Sequence, residues 1–105
     1  MNDLPLQSKI VSAAQGLLSG TSDFLETVRS LSALRFEVSA DGHDPDFLLF
    51  LAIDSETDHL PSPKTAPHCS QEWLARSEQE KQNVVAFYEA DVKAACEQLL
   101  KRFSP

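Results

Sequence analysis

Three carboxylates and one imidazole follow one another at short intervals in residues 54–59, which read DSETDH. The acidic side chains stand at alternate positions, and the histidine comes directly after the last of them. Mg²⁺, Mn²⁺ and Ca²⁺ prefer oxygen-rich ligand sets, so Asp54, Glu56, Asp58 and His59 are candidate metal ligands. With His59 as ligand or general base, the chain would be a divalent-metal-dependent hydrolase.

The same segment has two other interpretations. A calcium loop of the EF-hand type is excluded, because its sixth position would be His59 and its twelfth Thr65, where glycine and glutamate are required. Short polar side chains also cap helix ends and hold loop backbone, and we favour that role for Asp54, Ser55, Thr57 and Asp58. Contact with a partner protein is the remaining interpretation, and it would use the whole run together with Pro61 and Trp73.

The other metal-binding or nucleophilic side chains do not form a recognisable motif. His43, His68, Cys69 and Cys96 lack the paired spacing of zinc sites. Phosphate-binding glycine loops, dinucleotide fingerprints and the nucleophile motif of hydrolases are absent from the sequence. We therefore expect no cofactor, and we expect both cysteines to be reduced thiols, with Cys96 acting as a small buried hydrophobic residue.

The net charge of −7 is concentrated in one part of the chain. Residues 41–60 contain six acidic residues and no lysine or arginine, which gives −6 for this segment alone. A basic footprint for nucleic acid is therefore missing, and binding to a phosphate backbone is not expected. A basic protein partner or a cation would suit this segment.

Length and composition indicate one soluble globular domain over residues 1–105, with 42% hydrophobic and 24% charged residues. The N-terminus does not resemble a signal peptide. The longest unbroken apolar run, Phe47 to Ile53, has seven residues, whereas a membrane span needs about 20. We expect a cytoplasmic protein that is not bound to a membrane. The sequence does not decide between a monomer and a homodimer.

Apolar residues in the N-terminal part recur at steps of three and four, which is typical of amphipathic helices. The pattern predicts a first helix over about 5–19, with Gly20 as its C-terminal cap. A second helix should run to about residue 38, with Ser22 or Thr21 as N-cap and Glu26 in its first turn. Residues 40–43 should form a turn.

Asp44 followed by Pro45 is a strong start signal for a third, short helix. Its body, Phe47 to Ile53, is apolar on every side, so that periodicity alone does not distinguish helix from buried strand. The leucine content and the Asp-Pro start favour helix. From Asp54 to Cys69, three prolines predict a loop.

The C-terminal part predicts a short turn followed by a long helix. Ser70 is a candidate cap for the turn, which would contain Trp73. The residues from Ser77 to Glu80 fit the capping-box pattern, so that the long helix should span 78–103, about 39 Å. The predicted fold is therefore all-α: a compact bundle of about four helices with a long C-terminal helix and a Pro-rich acidic loop.

The motif also resembles a family of small bacterial proteins that carry a domain of unknown function. Its members share the Asp-Ser-Glu-Thr-Asp-His core, a downstream tryptophan and a C-terminal Ala-Cys helix. The resemblance covers about residues 8–103. The matching positions are Asp54, Ser55, Glu56, Thr57, Asp58, His59, Pro61, Trp73 and Cys96.

This resemblance implies a bacterial origin and draws attention to the acidic run, but it implies no activity. Family members often carry a glycine and an arginine between the proline and the tryptophan. This chain has neither residue there: positions 62–72 read SPKTAPHCSQE. If that arginine pairs with the carboxylates, Lys64 or Arg76 would have to replace it here. On balance the sequence predicts a protein-interaction or regulatory module, with the hydrolase as the alternative.

Overall fold

The computed structural model describes residues 4–61 and 65–104, and every regular element in these ranges is helical. The chain forms a compact bundle of four α-helices, with a short 3₁₀ turn before α3 and another before α4. The predicted all-α bundle with a long C-terminal helix is confirmed. The elements are α1 (Leu4–Ser19), α2 (Phe24–Val38), a 3₁₀ turn (Pro45–Phe47), α3 (Leu48–Thr57), a second 3₁₀ turn (Ala66–His68) and α4 (Gln71–Phe103).

A tight turn joins α1 to α2. Gly20 has a φ of 76°, a left-handed conformation that glycine adopts without steric cost. The N-cap of α2 is Asp23, whose carboxylate accepts a hydrogen bond from the Glu26 backbone N–H at 3.0 Å. The prediction of Ser22 or Thr21 as cap is therefore wrong. Ser22 instead packs on Gly16. A Cβ atom added at Gly16 would collide with the Ser22 hydroxyl oxygen.

The segment before α3 starts as the Asp-Pro signal predicts. The Asp44 carboxylate accepts a hydrogen bond from the Asp46 backbone N–H at 3.0 Å, and Pro45 opens the 3₁₀ turn. The apolar run continues as α3, so helix rather than strand is confirmed. The rings of Phe47 and Phe50 are fully buried, and Phe47 packs edge to face on both Phe50 and Phe103, with ring centroids 6.3 Å apart in each pair. These contacts attach α3 to the end of α4.

The C-terminal helix is longer than the sequence pattern predicts. Ser70 caps it by accepting a hydrogen bond from the Trp73 backbone N–H at 3.1 Å, and α4 then runs without interruption for 33 residues, about 50 Å. A separate turn and a capping box at Ser77 are therefore wrong. Residues 74–76, Leu-Ala-Arg, are good helix formers without glycine or proline, so nothing stops the helix before Ser77, which is buried inside it.

One contiguous core holds the four helices together. α1 lies along α4, α2 packs on α1 and α3, and the inward residues of all four helices meet in one cluster. The helical periodicities predicted most of this cluster, including the buried Cys96, which is a free thiol like Cys69. The buried apolar residues are Ile10, Ala14, Leu17, Leu25, Val28, Leu31, Phe47, Phe50, Ile53, Leu60, Val92, Cys96 and Leu99.

The length of α4 alone would be sufficient for a membrane span, since about 20 apolar residues cross a bilayer. Acidic and basic side chains, however, occur along its whole length. Within residues 4–61 and 65–104, no helix is both long enough and apolar enough to cross a membrane.

Candidate functional site

We call residues 54–59 the acidic motif. The sequence predicts a loop from Asp54 onward, but residues 54–57 form the last turn of α3, and the chain leaves the helix only at Asp58. The loop prediction is therefore wrong for these four residues. No glycine or proline lies between Pro45 and Pro61, so the helix that begins in the apolar run extends into the polar one.

Helical geometry decides where the carboxylates of the acidic motif point. Successive residues of an α-helix are rotated by about 100°, so alternate positions face nearly opposite directions. Asp54 consequently faces α2, whereas Glu56 faces α4. His59, after the helix end, also contacts α4. The acidic motif thus contacts both α2 and α4, and its side chains do not converge on a single metal position.

On the α2 side, Arg29 is the partner of the acidic motif. Its Nη2 donates hydrogen bonds to the Thr57 carbonyl at 2.6 Å and to the Leu60 carbonyl at 3.4 Å, and its Nη1 donates to Glu26 at 3.2 Å. The Nε atom lies 4.0 Å from the Asp54 carboxylate. The last carbonyls of a helix lack internal partners and carry partial negative charge, so this guanidinium caps the C-terminus of α3.

The sequence offers no local signal for this pairing. The family resemblance implies that Lys64 or Arg76 would replace the family's arginine, if that arginine pairs with the carboxylates. Lys64 lies outside the described residues, and Arg76 is exposed on α4. Arg29 fills the role instead, from a position 28 residues before Thr57. The interpretation of Asp54 as a helix cap is also wrong, because Asp54 lies inside α3 and faces an arginine.

Thr57 is the buried residue of the acidic motif. It is fully inaccessible, and its hydroxyl donates a hydrogen bond to the Ile53 carbonyl at 2.7 Å. A buried hydroxyl without a partner would lower stability, so this bond to its own helix lets a polar residue enter the core. Thr57 therefore has a structural role in the core, whereas Ser55, two residues earlier, is exposed.

On the α4 side, two side chains of the acidic motif meet polar partners. The Glu56 carboxylate faces the Tyr88 hydroxyl and raises the pKa of Tyr88, because it accepts a hydrogen bond from the protonated phenol and would repel the ionised one. The imidazole Nε2 of His59 contacts the Glu80 carboxylate. These pairs connect the end of α3 to the middle of α4.

The candidate metal ligands at the end of α3 therefore face different neighbouring helices. Within residues 4–61 and 65–104, no group of three or more His, Cys, Asp or Glu side chains is close enough to hold a metal ion. Asp54 turns toward Arg29, and His59 turns toward Glu80. The arrangement does not bring Asp54, Glu56, Asp58 and His59 together.

Much of the remaining acidic charge of residues 41–60 has partners within the fold. Arg102, in the last turn of α4, forms two parallel bonds with the Asp44 carboxylate at 2.7 and 2.8 Å and a third with Asp46 at 2.8 Å. This arginine lowers the pKa of Asp44. Asp41 accepts hydrogen bonds from the Ser39 hydroxyl and from a backbone N–H, which lower its pKa as well. Glu56 and Asp58 stay exposed.

Replacing Asp44 with asparagine should show how much the Asp44–Arg102 ion pair adds to the free energy of unfolding at each pH. Asparagine still caps a helix, so the variant should lose the ion pair but keep the cap, at a cost of about 1 kcal/mol at pH 7. The folded-state pKa of Asp44 lies below its ordinary value of 3.8, so its contribution is present above that value. The difference between the two proteins should therefore shrink as the pH falls through the lowered pKa.

Urea unfolding of both proteins between pH 7 and pH 2.5 measures this difference. Glu97→Gln, an exposed change on α4, is the control and should leave stability nearly unchanged at every pH. A difference between wild type and Asp44→Asn that stays constant over the whole range would show that charge is not the source of the stabilisation.

Beside the acidic motif, α4 carries the most exposed large hydrophobic side chain in the described part of the chain. Phe87 is 74% exposed, and its ring packs edge to face on Tyr88 with centroids 4.8 Å apart. Trp73, nearer the start of α4, is 37% exposed, and Pro61 is half-buried. We define the acidic aromatic patch as Phe87 and Tyr88 with the surrounding carboxylates of Glu56, Glu80 and Asp91.

No protein-family model, no curated protein and no solved structure matches this chain.

Proposed function

We propose that this chain is a protein-interaction module that binds a basic, partly apolar segment of another protein through the acidic aromatic patch. The exposure of Phe87 carries the proposal. It is the most exposed large hydrophobic residue in residues 4–61 and 65–104, and it lies where carboxylates from α3 and α4 meet. An aromatic anchor within a charged rim is the usual composition of a binding surface.

The ring of Phe87 already has a contact within the chain. It packs edge to face on Tyr88, which in turn faces Glu56, and this contact favours one orientation of the ring. A side chain that is already ordered loses less entropy on binding. Phe36, the other strongly exposed phenylalanine, differs because neighbouring residues cover part of its ring: the Arg35 guanidinium lies 4.2 Å from the ring centroid, and the ring also packs on Gly42.

The charges around Phe87 indicate the chemistry of the partner. Asp91 lies one helical turn after Phe87 and Glu80 lies two turns before it, so both share its side of α4. Glu56 approaches from α3. Lysine or arginine side chains of a partner would meet complementary charge on this rim, which favours association and discriminates against acidic surfaces.

A titration with a synthetic peptide tests this function. The probe is a 14-residue amphipathic helix made of leucine and lysine, and calorimetry measures its dissociation constant. We expect Phe87→Ala to weaken binding about tenfold, and we expect added salt to weaken binding to the wild-type protein.

Phe36→Ala is the matched control, because it removes the same ring from a face outside the patch. Its affinity for the peptide should equal that of the wild type. Equal affinities for Phe87→Ala and Phe36→Ala would contradict the proposed surface. Circular dichroism of both variants establishes that each is folded.

We further propose a cytoplasmic location, which the two free thiols support because cysteines stay reduced in that compartment. Membership of the bacterial family with the same acidic core is likewise a proposal, supported by the motif and by the helical position of Cys96. The hydrolase is not proposed, since the folded chain separates its candidate ligands.

A further inference from the structure

A small cavity lies on the α2 side of the acidic motif, away from Phe87. Its volume is about 180 Å³, and it opens between the start of α2, the residues that follow α3 and the first half of α4. Leu25, Leu60 and Leu74 supply apolar walls, and Pro61 and Ala66 extend them. The space is sufficient for a molecule of several heavy atoms, since liquid water occupies about 30 Å³ per molecule.

Ser77 lines this cavity and is the unusual residue in it. It is only 6% exposed, and its hydroxyl makes no hydrogen bond within the described part of the chain. A serine inside a helix ordinarily bonds back to the carbonyl four residues earlier or points to solvent. Buried polar groups nearly always have a partner. An unpaired hydroxyl beside an apolar cavity is therefore a position at which a bound molecule would supply the missing bond.

The charges at the cavity restrict the class of that molecule. Both basic groups are already engaged: Arg29 bonds to Glu26 and to two backbone carbonyls, and the Lys81 ammonium lies 3.2 Å from Asp23. Within residues 4–61 and 65–104, the cavity therefore offers no free cation to an anion. Glu78, by contrast, receives one hydrogen bond from the Gln82 amide at 3.3 Å and forms no ion pair within residues 4–61 and 65–104. The unbalanced charge is negative.

We propose that this cavity binds a small organic cation, namely a primary ammonium carried on a short hydrocarbon chain. The hydrocarbon would lie against the three leucines, where burial of apolar surface is favourable. The ammonium has three donors and no acceptor. It would donate to the Ser77 hydroxyl oxygen and to the Glu78 carboxylate, the two groups that the fold leaves without full partners.

Three matched probes test the proposal on the full chain: n-butylammonium, n-butanol and butyrate, each at neutral pH. Two-dimensional ¹H–¹⁵N NMR follows the titrations. We expect n-butylammonium to give saturable shifts at Leu25, Leu74 and Ser77, and we expect butyrate to give none. Butanol should bind at least about threefold more weakly, because it has the hydrocarbon and a hydroxyl but no charge.

Two variants and a control identify the groups involved. Glu78→Gln, at an exposed position, should weaken n-butylammonium binding about tenfold. Ser77→Ala should also weaken binding and should keep the fold, which the same spectra report. Glu97→Gln removes an equal charge from α4 far from the cavity and should change nothing.

Several results would overturn the proposal. These are shifts that do not saturate, equal binding of n-butylammonium and butyrate, and equal loss of affinity in Glu78→Gln and Glu97→Gln. Because none of these residues belongs to the acidic aromatic patch, failure here is distinguishable from failure of the proposed peptide binding.

Discussion

Replacing Leu99 with alanine should lower the free energy of unfolding by about 2–5 kcal/mol. Leu99 is fully buried on the inward face of α4, within the cluster that includes Ile10 of α1 and Phe47 before α3. The truncation removes buried apolar atoms and leaves a cavity that the surrounding helices fill only in part. Urea denaturation of both proteins measures the loss, and the slope of the transition should stay unchanged.

Leu48→Ala is the matched control, since it is the same substitution at a residue that is 41% exposed. It should cost less than about 1 kcal/mol, because a large part of the removed surface is already in contact with water. If the two variants were destabilised equally, α4 would not pack in the core through Leu99, and the bundle described above would be incorrect.

Replacing Arg29 with methionine should lower stability by about 2–3 kcal/mol, although the hydrocarbon part of the side chain is kept. The guanidinium donates to the Thr57 carbonyl at 2.6 Å and counteracts the negative end of the α3 dipole. Without it, the Thr57 carbonyl keeps the bond from the Leu60 N–H but loses its bond from Arg29, and the Leu60 carbonyl also loses the guanidinium. The Glu26 carboxylate loses its ion pair as well.

Urea denaturation measures this loss, and amide hydrogen exchange locates it. The amides of the last turn of α3 should exchange faster in Arg29→Met, and so should the Leu60 N–H that follows the helix and bonds to the Thr57 carbonyl. Arg76→Met is the control, because Arg76 is an exposed arginine on α4, and it should change stability by no more than about 0.5 kcal/mol. Equal effects of the two substitutions would show that Arg29 does not cap α3.

The sequence by itself determined the helices and most of the core. Helix formation depends on neighbouring residues, and the three- and four-residue steps of apolar side chains give each helix one buried face. This is why the inward positions of Val28, Val92 and Leu99 could be predicted. The Asp44 start signal was equally local, since the cap bonds to an amide two residues away.

Tertiary structure decided which partners the acidic residues of 41–60 have. Arg29 reaches Thr57 across 28 residues, and Arg102 reaches Asp44 across 58. Such pairs form only when packed helices bring distant residues together, so no spacing within residues 41–60 predicts them. Continuation of α3 through Asp54 then turned Asp54 and Glu56 to opposite sides, because a helix rotates each successive side chain by about 100°. The charges that appear as one acidic block in the sequence therefore have different surroundings in the fold.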